Sequence, residues 1–328
     1  MPRASKPRSG SKQFWPRVKA EKMYANVRSW AKVNTTNLLG FAGYKVGMTH
    51  VSLLDNRPTS MTKGTTISWP VTVLECAPLK ILSVRFYQKL GYGSGVLGEV
   101  LAGNLDKSLV RKISLPKNKD GLKKISDFES KLKDIINIKV LVYTQPKKTG
   151  VGKKTPEIFE CALGGDITSG FNWIKENINK EFRLSDVLKT GTKVDLHLVT
   201  KGKGFQGLIK RFGTALRSHK SEKVRRSAVM GSVIPGKVLV GHNMAGRMGM
   251  HMRTEYNKDV VMIDSDVKKI NPRGGFIHYG NVKSDYILVK GSVGGPAKRL
   301  VILTPTIRNK KGVGDAMQIQ NISLESKQ

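Results

Sequence analysis

From about residue 40 the apolar positions fall in short runs, separated by glycine, proline and asparagine. Runs over 44–54, 71–76, 81–87, 139–144, 157–163 and 193–200 predict strands, as do those over 260–264, 275–279, 286–290 and 300–303. Alternation is clear in 193–200, where Val194, Leu196 and Leu198 share one side and Asp195, His197 and Val199 the other. Many short strands with such turns predict a mainly β chain, a barrel or a sandwich. Helical signals gather between about 104 and 189. Ser126 with Glu129 forms a capping box, and Phe128, Leu132, Ile135 and Ile136 then fall on one helical face. Shorter helices are predicted over 171–178 and 184–188.

Charge alters this picture more than composition does. The 328 residues hold 58 lysines and arginines against 24 acids, a net charge of +34, yet 39% are hydrophobic, which excludes a simple disordered polycation. No apolar run approaches the ~18 residues of a membrane span, and no apolar core follows the basic start as a secretory signal would require. Cys76 and Cys161 stand far apart, so no cysteine-based zinc site is expected, and such sparse usage fits a reducing cytosol. Residues 1–40 carry nine cations and one acid, Glu21, with Phe14, Trp15, Tyr24 and Trp30 interspersed. Such a stretch reads as an extended tail able to stack on bases and touch phosphates. Residues 201–258 carry thirteen cations against Glu222 and Glu255, with nine glycines and five methionines. With little to bury, they read as a long excursion that an external polyanion holds.

The motifs that could carry chemistry are few. Gly202, Gly204 and Gly207 have the GxGxxG spacing, as do Gly93, Gly95 and Gly98, but neither leads to a second strand ending in an acid. The first is better read as close backbone approach beside the phosphate-neutralising Lys201, Lys203, Lys210 and Arg211. His242 and His251 have no carboxylate near in sequence to orient them, and Asp264 with Asp266 reads as a turn. In MAGRMGMHMR an extended ribbon would put Met248, Met250 and Met252 on one face and cations on the other, with 237–242 as its antiparallel partner. No enzyme, cofactor, metal or small-molecule substrate is expected.

Taken in order, PRSGSKQFWPR at 7–17, GFAGYKVGMTHV at 40–51, PVTVLE at 70–75 and VTKGKGFQGLIKRFG at 199–213 resemble the universal ribosomal large-subunit protein three family, in its archaeal and eukaryotic form. MAGRMGMHMRTEYNK at 244–258, GGFIHYGNV at 274–282 and YILVKGSVGGPAKRLV at 286–301 extend the resemblance over nearly the whole chain. It implies an α+β, mainly β fold with a closed β-barrel body (41–90, 191–200 and 259–305), an α/β insertion (91–190), a basic central loop (201–258), an N-terminal extension (1–40) and a C-terminal tail (306–328). It also implies a cytoplasmic structural constituent of the large subunit that supports early assembly. Its expected partners are large-subunit ribosomal RNA and neighbouring ribosomal proteins, with no membrane and no homo-oligomer. The expected RNA contacts are Arg3, Arg8, Lys12, Trp15 and Arg17 in the tail, and Lys201, Lys203, Lys210, Arg211, Arg217, His219, Lys220, Arg225, Arg226, Lys237, Arg247, His251 and Arg253 in the loop. The resemblance places the tip, Ser232, Val233, Ile234, Pro235 and Gly236, near the peptidyl-transferase centre. Val233 stands where the family carries a tryptophan, and His219 matches the family's loop histidine only with a shift in spacing.

Overall fold

The computed structural model describes residues 7–57, 60–116, 125–226, 234, 236–308 and 318–325. The chain forms two compact units, Met1–Met23 with Val199–Arg253, and Tyr24–Leu198 with Thr254–Gln328. Each is discontinuous in sequence.

Strands β1 (Phe41–Leu54), β2 (Thr66–Glu75), β3 (Leu79–Leu90), β4 (Gly93–Leu101), β5 (Ile135–Tyr143), β6 (Ile158–Ala162), β7 (Glu181–Phe182) and β8 (Lys193–Val199) precede the basic segment. That segment contributes β9 (Gly202–Gln206) and β10 (Gly246–Gly249), and β11 (Met252–Asp264), β12 (Tyr286–Lys290), β13 (Leu300–Pro305) and β14 (Gln318–Ile322) follow. In the larger unit one sheet runs β13-β8-β11-β12-β2-β1-β14. Strand β1 also pairs antiparallel with β13, Phe41 opposite Leu303 and Tyr44 opposite Leu300, so the path returns on itself. Alternate residues of β1, Val51 and Leu53, are fully buried, as are Val71, Val73, Ile287 and Val301 on the neighbouring strands. A second sheet runs β4-β3-β5-β6, with β7 on β3. Helix α1 (Ile167–Asn177) buries Phe171 and Ile174, and Phe171 meets Phe86 of β3 at 6.1 Å between ring centroids. A one-turn helix α2 (Leu184–Val187) closes this region.

Three buried polar side chains of the larger unit are held by hydrogen bonds, as burial demands. Glu75 is fully buried and accepts from Gly150 N at 2.9 Å, Lys283 N at 2.6 Å, Ser284 N at 2.9 Å, Ser284 Oγ at 3.1 Å and the Tyr279 hydroxyl. Asp195 accepts from Asn257 N at 2.8 Å and Ile307 N at 3.1 Å. His197 lies between the hydroxyls of Thr304 and Thr254, 3.1 and 3.0 Å away.

Three expectations are corrected. The helix predicted from Ser126 does not run on to 136: among the described residues 125–136 only 125–127 are α-helical, and Ile135 and Ile136 belong to β5 instead. The β-branched run IINIKVLVY fits a pleated surface, and pairing with β3, from Tyr143 opposite Lys80 to Ile135 opposite Gln88, outweighs the local capping signal. Residues 275–279 form a turn in which Tyr279 N and Gly280 N both donate to Phe276 O, at 3.1 and 2.9 Å. Positive φ at Gly275 (+70°) and His278 (+62°) is incompatible with a strand there. Finally, residues 24–40 are packed rather than extended. Tyr24, Ala25 and Val27 are buried, Leu39 N donates to Ala162 O at 3.0 Å, and Gly165 N donates to Val33 O at 2.8 Å.

Candidate nucleic-acid interface

The smaller unit is built on a two-stranded ribbon. Strands β9 and β10 pair antiparallel with Gly246 opposite Gln206, Arg247 opposite Phe205 and Gly249 opposite Gly202. Gly249 has φ +76°, and a Cβ there would sit 2.1 Å from Lys201 O, so only glycine permits this approach. The one-and-a-half-turn helix α3 (Leu208–Phe212) follows β9 and ends at Gly213, whose N–H donates to Ile209 O at 2.8 Å. Its last residue, Phe212, is buried.

The tail closes over that phenyl ring. Trp15 stacks on it with centroids 5.8 Å apart and planes 11° apart. The guanidinium carbons of Arg17 and Arg211 lie 4.5 and 5.0 Å from its centroid. Gly10, at φ +80°, passes so close that a Cβ would lie 2.7 Å from Phe212 Cδ1. Beyond the ring, Asn243 Nδ2 donates to Ser9 O at 2.9 Å, Ala20 N donates to Met250 O at 2.9 Å, and the buried His251 ring meets Val18 O at 2.8 Å. Arg253 lies 4.5 Å above the Phe14 ring. Tail and loop, read in the sequence as two arms, thus form one clasp with a small aromatic centre of its own.

Nineteen lysines and arginines fall within the sequence limits of this unit, against two acids, Glu21 and Glu222. Half of the chain's surplus of +34 therefore sits in less than a quarter of its residues. Among the described residues, none of Arg17, Arg211, Arg247 and Arg253 has a carboxylate partner within ion-pair distance. Burial lowers Arg211 and Arg253 below the ordinary arginine value, and the charge of Arg17 lowers both further.

The expected contact residues are placed unevenly. Arg8, Lys12, Lys201, Lys203, Lys210, His219, Lys220, Arg225, Arg226, Lys237 and Arg247 are exposed, whereas Trp15, Arg17, Arg211, Arg217 and Arg253 are half-buried. Trp15, Arg17 and Arg211 meet at Phe212. His251 is buried and spends its ring on the tail backbone. At the tip, Ile234 and Gly236 are exposed, while Arg3, Ser232, Val233 and Pro235 lie outside the described residues. The ribbon around Met248 exists, but its partner is β9 rather than 237–242, which includes a turn closed by His242 N on Leu239 O. Met250, at φ +54°, breaks the expected run of methionines on one face. Gly202 and Gly204 lie in this antiparallel ribbon and Gly207 precedes α3, so they do not form a parallel dinucleotide-binding turn. Asp264 and Asp266 do form a turn, Asp264 Oδ1 accepting from Ser265 N and Asp266 N.

Two residues were not foreseen. Phe212 is the centre of the clasp, and its only sequence signal is a lone aromatic after Arg211 and before a glycine stop. Phe205 projects from the ribbon, 77% exposed, opposite Arg247.

The family model described as Ribosomal protein L3 matches residues 1–328. The large ribosomal subunit protein uL3 of Methanobrevibacter smithii is 45% identical over 334 residues, covering 100% of this chain and 99% of the relative. Those of Methanosphaera stadtmanae and Archaeoglobus fulgidus are 44% and 40% identical, covering 100% and 98% of this chain and 99% and 98% of their own lengths.

Proposed function

The chain belongs to the ribosomal protein L3 family, a structural, non-enzymatic constituent of the large ribosomal subunit, and from that premise we propose that it binds large-subunit ribosomal RNA chiefly through the smaller unit. One observation carries this reading. Nineteen cations share that unit with two acids, and among the described residues none of the half-buried Arg17, Arg211 and Arg253 has a carboxylate within ion-pair distance. A compact body with such self-repulsion gains stability from an external polyanion whose phosphates replace the missing acids. The exposed Lys201, Lys203, Lys210, Arg225, Arg226, Lys237 and Arg247 serve as backbone contacts, which position without reading sequence. Phe205 on the ribbon serves as a stacking surface for an unpaired base.

The larger unit is the anchored body in this reading, its returning strand path acting as the closed β-barrel, with 91–190 as the insertion and 306–328 as the C-terminal tail. The loop tip at 232–236 reaches toward the peptidyl-transferase centre, and the protein joins the subunit early in assembly as a single copy. Measuring equilibrium binding of the full chain to large-subunit ribosomal RNA across salt tests the proposal. Affinity should fall about a thousandfold or more between 50 and 200 mM salt, and duplex DNA of equal length should compete poorly. A flat salt response, or displacement by DNA at equal concentration, would overturn it.

A further inference from the structure

Two guanidinium groups share the Phe212 ring, and both leave hydrogen-bonding edges unused. The Arg17 guanidinium carbon lies over the ring, 4.5 Å from its centroid, its buried Nε–H has no acceptor, and none of its N–H groups bonds to a described residue. Arg211 rests 5.0 Å from the same centroid, and its Nε and Nη1 are fixed on Arg247 O and Met244 O at 2.9 and 2.8 Å. Those bonds immobilise Arg211 and leave Nη2 without a partner among the described residues. Both guanidinium carbons lie within 5.0 Å of one ring centroid, and the charge of Arg17 acts on Arg211 beside its burial. Among the described residues, neither has a carboxylate within ion-pair distance. Holding two such cations together is unfavourable unless an anion lies between them, and burial of the aromatic stack strengthens that need.

The stack also fixes where the anion would sit. A guanidinium that spends its π face on an aromatic ring presents its N–H donors edge-on, in the plane that suits a tetrahedral oxyanion. Trp15 on the ring and Gly10 beside it hold the tail in register, so the Arg17 edge is set before ligand arrives.

We propose that Arg17 and Arg211 grip a single backbone phosphate of the ribosomal RNA between them, so that one nucleotide bolts the tail to the loop. This rests on the RNA-binding reading above and narrows it to one shared contact. The phosphate closes the clasp by supplying the anion that the unit lacks, and the contact is independent of base identity.

The test is a double-mutant cycle in the full chain, using Arg17→Gln, Arg211→Gln and the double variant with large-subunit ribosomal RNA. Each single variant should weaken binding about tenfold at 100 mM salt and lower the log–log salt slope by about 1. With the phosphate shared, the double variant should lose little beyond the worse single, its slope still reduced by about 1. Multiplicative weakening near a hundredfold, with a slope loss of about 2, would assign two separate phosphates and overturn the proposal. Unchanged binding by Arg17→Gln would overturn it as well. Since Arg211 also holds loop carbonyls, Arg17→Lys supplies a second measure. It should keep the slope but weaken binding several-fold through loss of the fork, and binding equal to the parent would refute the grip. Absence of salt-dependent binding in the unmodified chain would sink the broader reading instead, so the two failures are distinguishable.

Discussion

In the larger unit Arg85 lies 2.8 Å from Glu99 and 2.7 Å from Glu160, and Lys80 lies 3.0 Å from Asp106 and 3.1 Å from Glu181. In the smaller unit Arg17 and Arg211 share a phenyl ring, with no acid in ion-pair distance among the described residues. The same residue types therefore serve two ends. Around Arg85 and Lys80 each cation has carboxylates within ion-pair distance, so charge is balanced locally and the fold stands on its apolar interior. Where cations meet aromatic rings and carbonyl oxygens, the fold is incomplete in electrostatic terms, and in the proposed reading the RNA is its missing component. Net charge over a whole chain hides this division.

Three measurements bear on the contrast. The largest effect is expected at Glu75, whose five donors tie 150 and 279–284 to the end of β2. Glu75→Ala should cost about 3–5 kcal/mol by denaturant unfolding of the full chain while leaving the salt slope of RNA binding unaltered; a change in that slope would mean that the two units are not energetically separate. Next, Phe212→Ala removes the ring that Trp15, Arg17 and Arg211 share. It should lower the opening free energy of residues 8–20 by about 3 kcal/mol, read by amide hydrogen exchange, without moving the main unfolding transition. Equal loss in both readouts would merge what the structure separates.

The smallest effect is on pH. Burial alone would raise Glu160, but bonds from Tyr87 and Arg85 and the Lys139 and Arg85 charges outweigh it and hold its carboxyl lowered. Glu181 is lowered in the same way, by Lys148 and Lys80 against its burial. Groups with depressed values stabilise the fold above their ordinary value of 4.5, and that stability fades as pH falls below it. Burial lowers His197 from its ordinary 6.5 more than the Asp195 charge raises it, so it too favours the folded state above that value and less so below it. The larger unit should therefore lose thermal stability stepwise on acidification, first below about pH 6.5 and again below about 4.5. Constant stability down to pH 4 would contradict the assigned partners.

Much of the larger unit was legible because its strands alternate or run apolar over five or more residues. The exceptions have physical causes. Strand β4 is GSGVLGEVL, too rich in glycine to show a period, and β14 is QIQNI, mostly polar on an edge. Ile135 and Ile136 suit either a helix face or a strand, and only the neighbouring β3 decides between them. In the smaller unit the cations were legible as a composition shift, since like charge needs no partner to be counted. The clasp was not. It joins Gly10, Trp15 and Arg17 to Phe212 across nearly two hundred residues, and no local pattern records such a pairing.

The return of the strand path through β1 and β13 also sets an order of events during synthesis. Tyr44 must wait for Leu300 before its edge is covered, a delay of roughly 10–50 s at ~5–20 residues per second. The clasp waits as well, since residues 7–20 have no ring to close on until Phe212 has been made. For most of its birth the chain is thus an open sheet edge preceded by a bare cationic leader, a state prone to pairing with the wrong strand or the wrong polyanion. Closure comes in two steps, the clasp first and the returning sheet only when its final strands arrive.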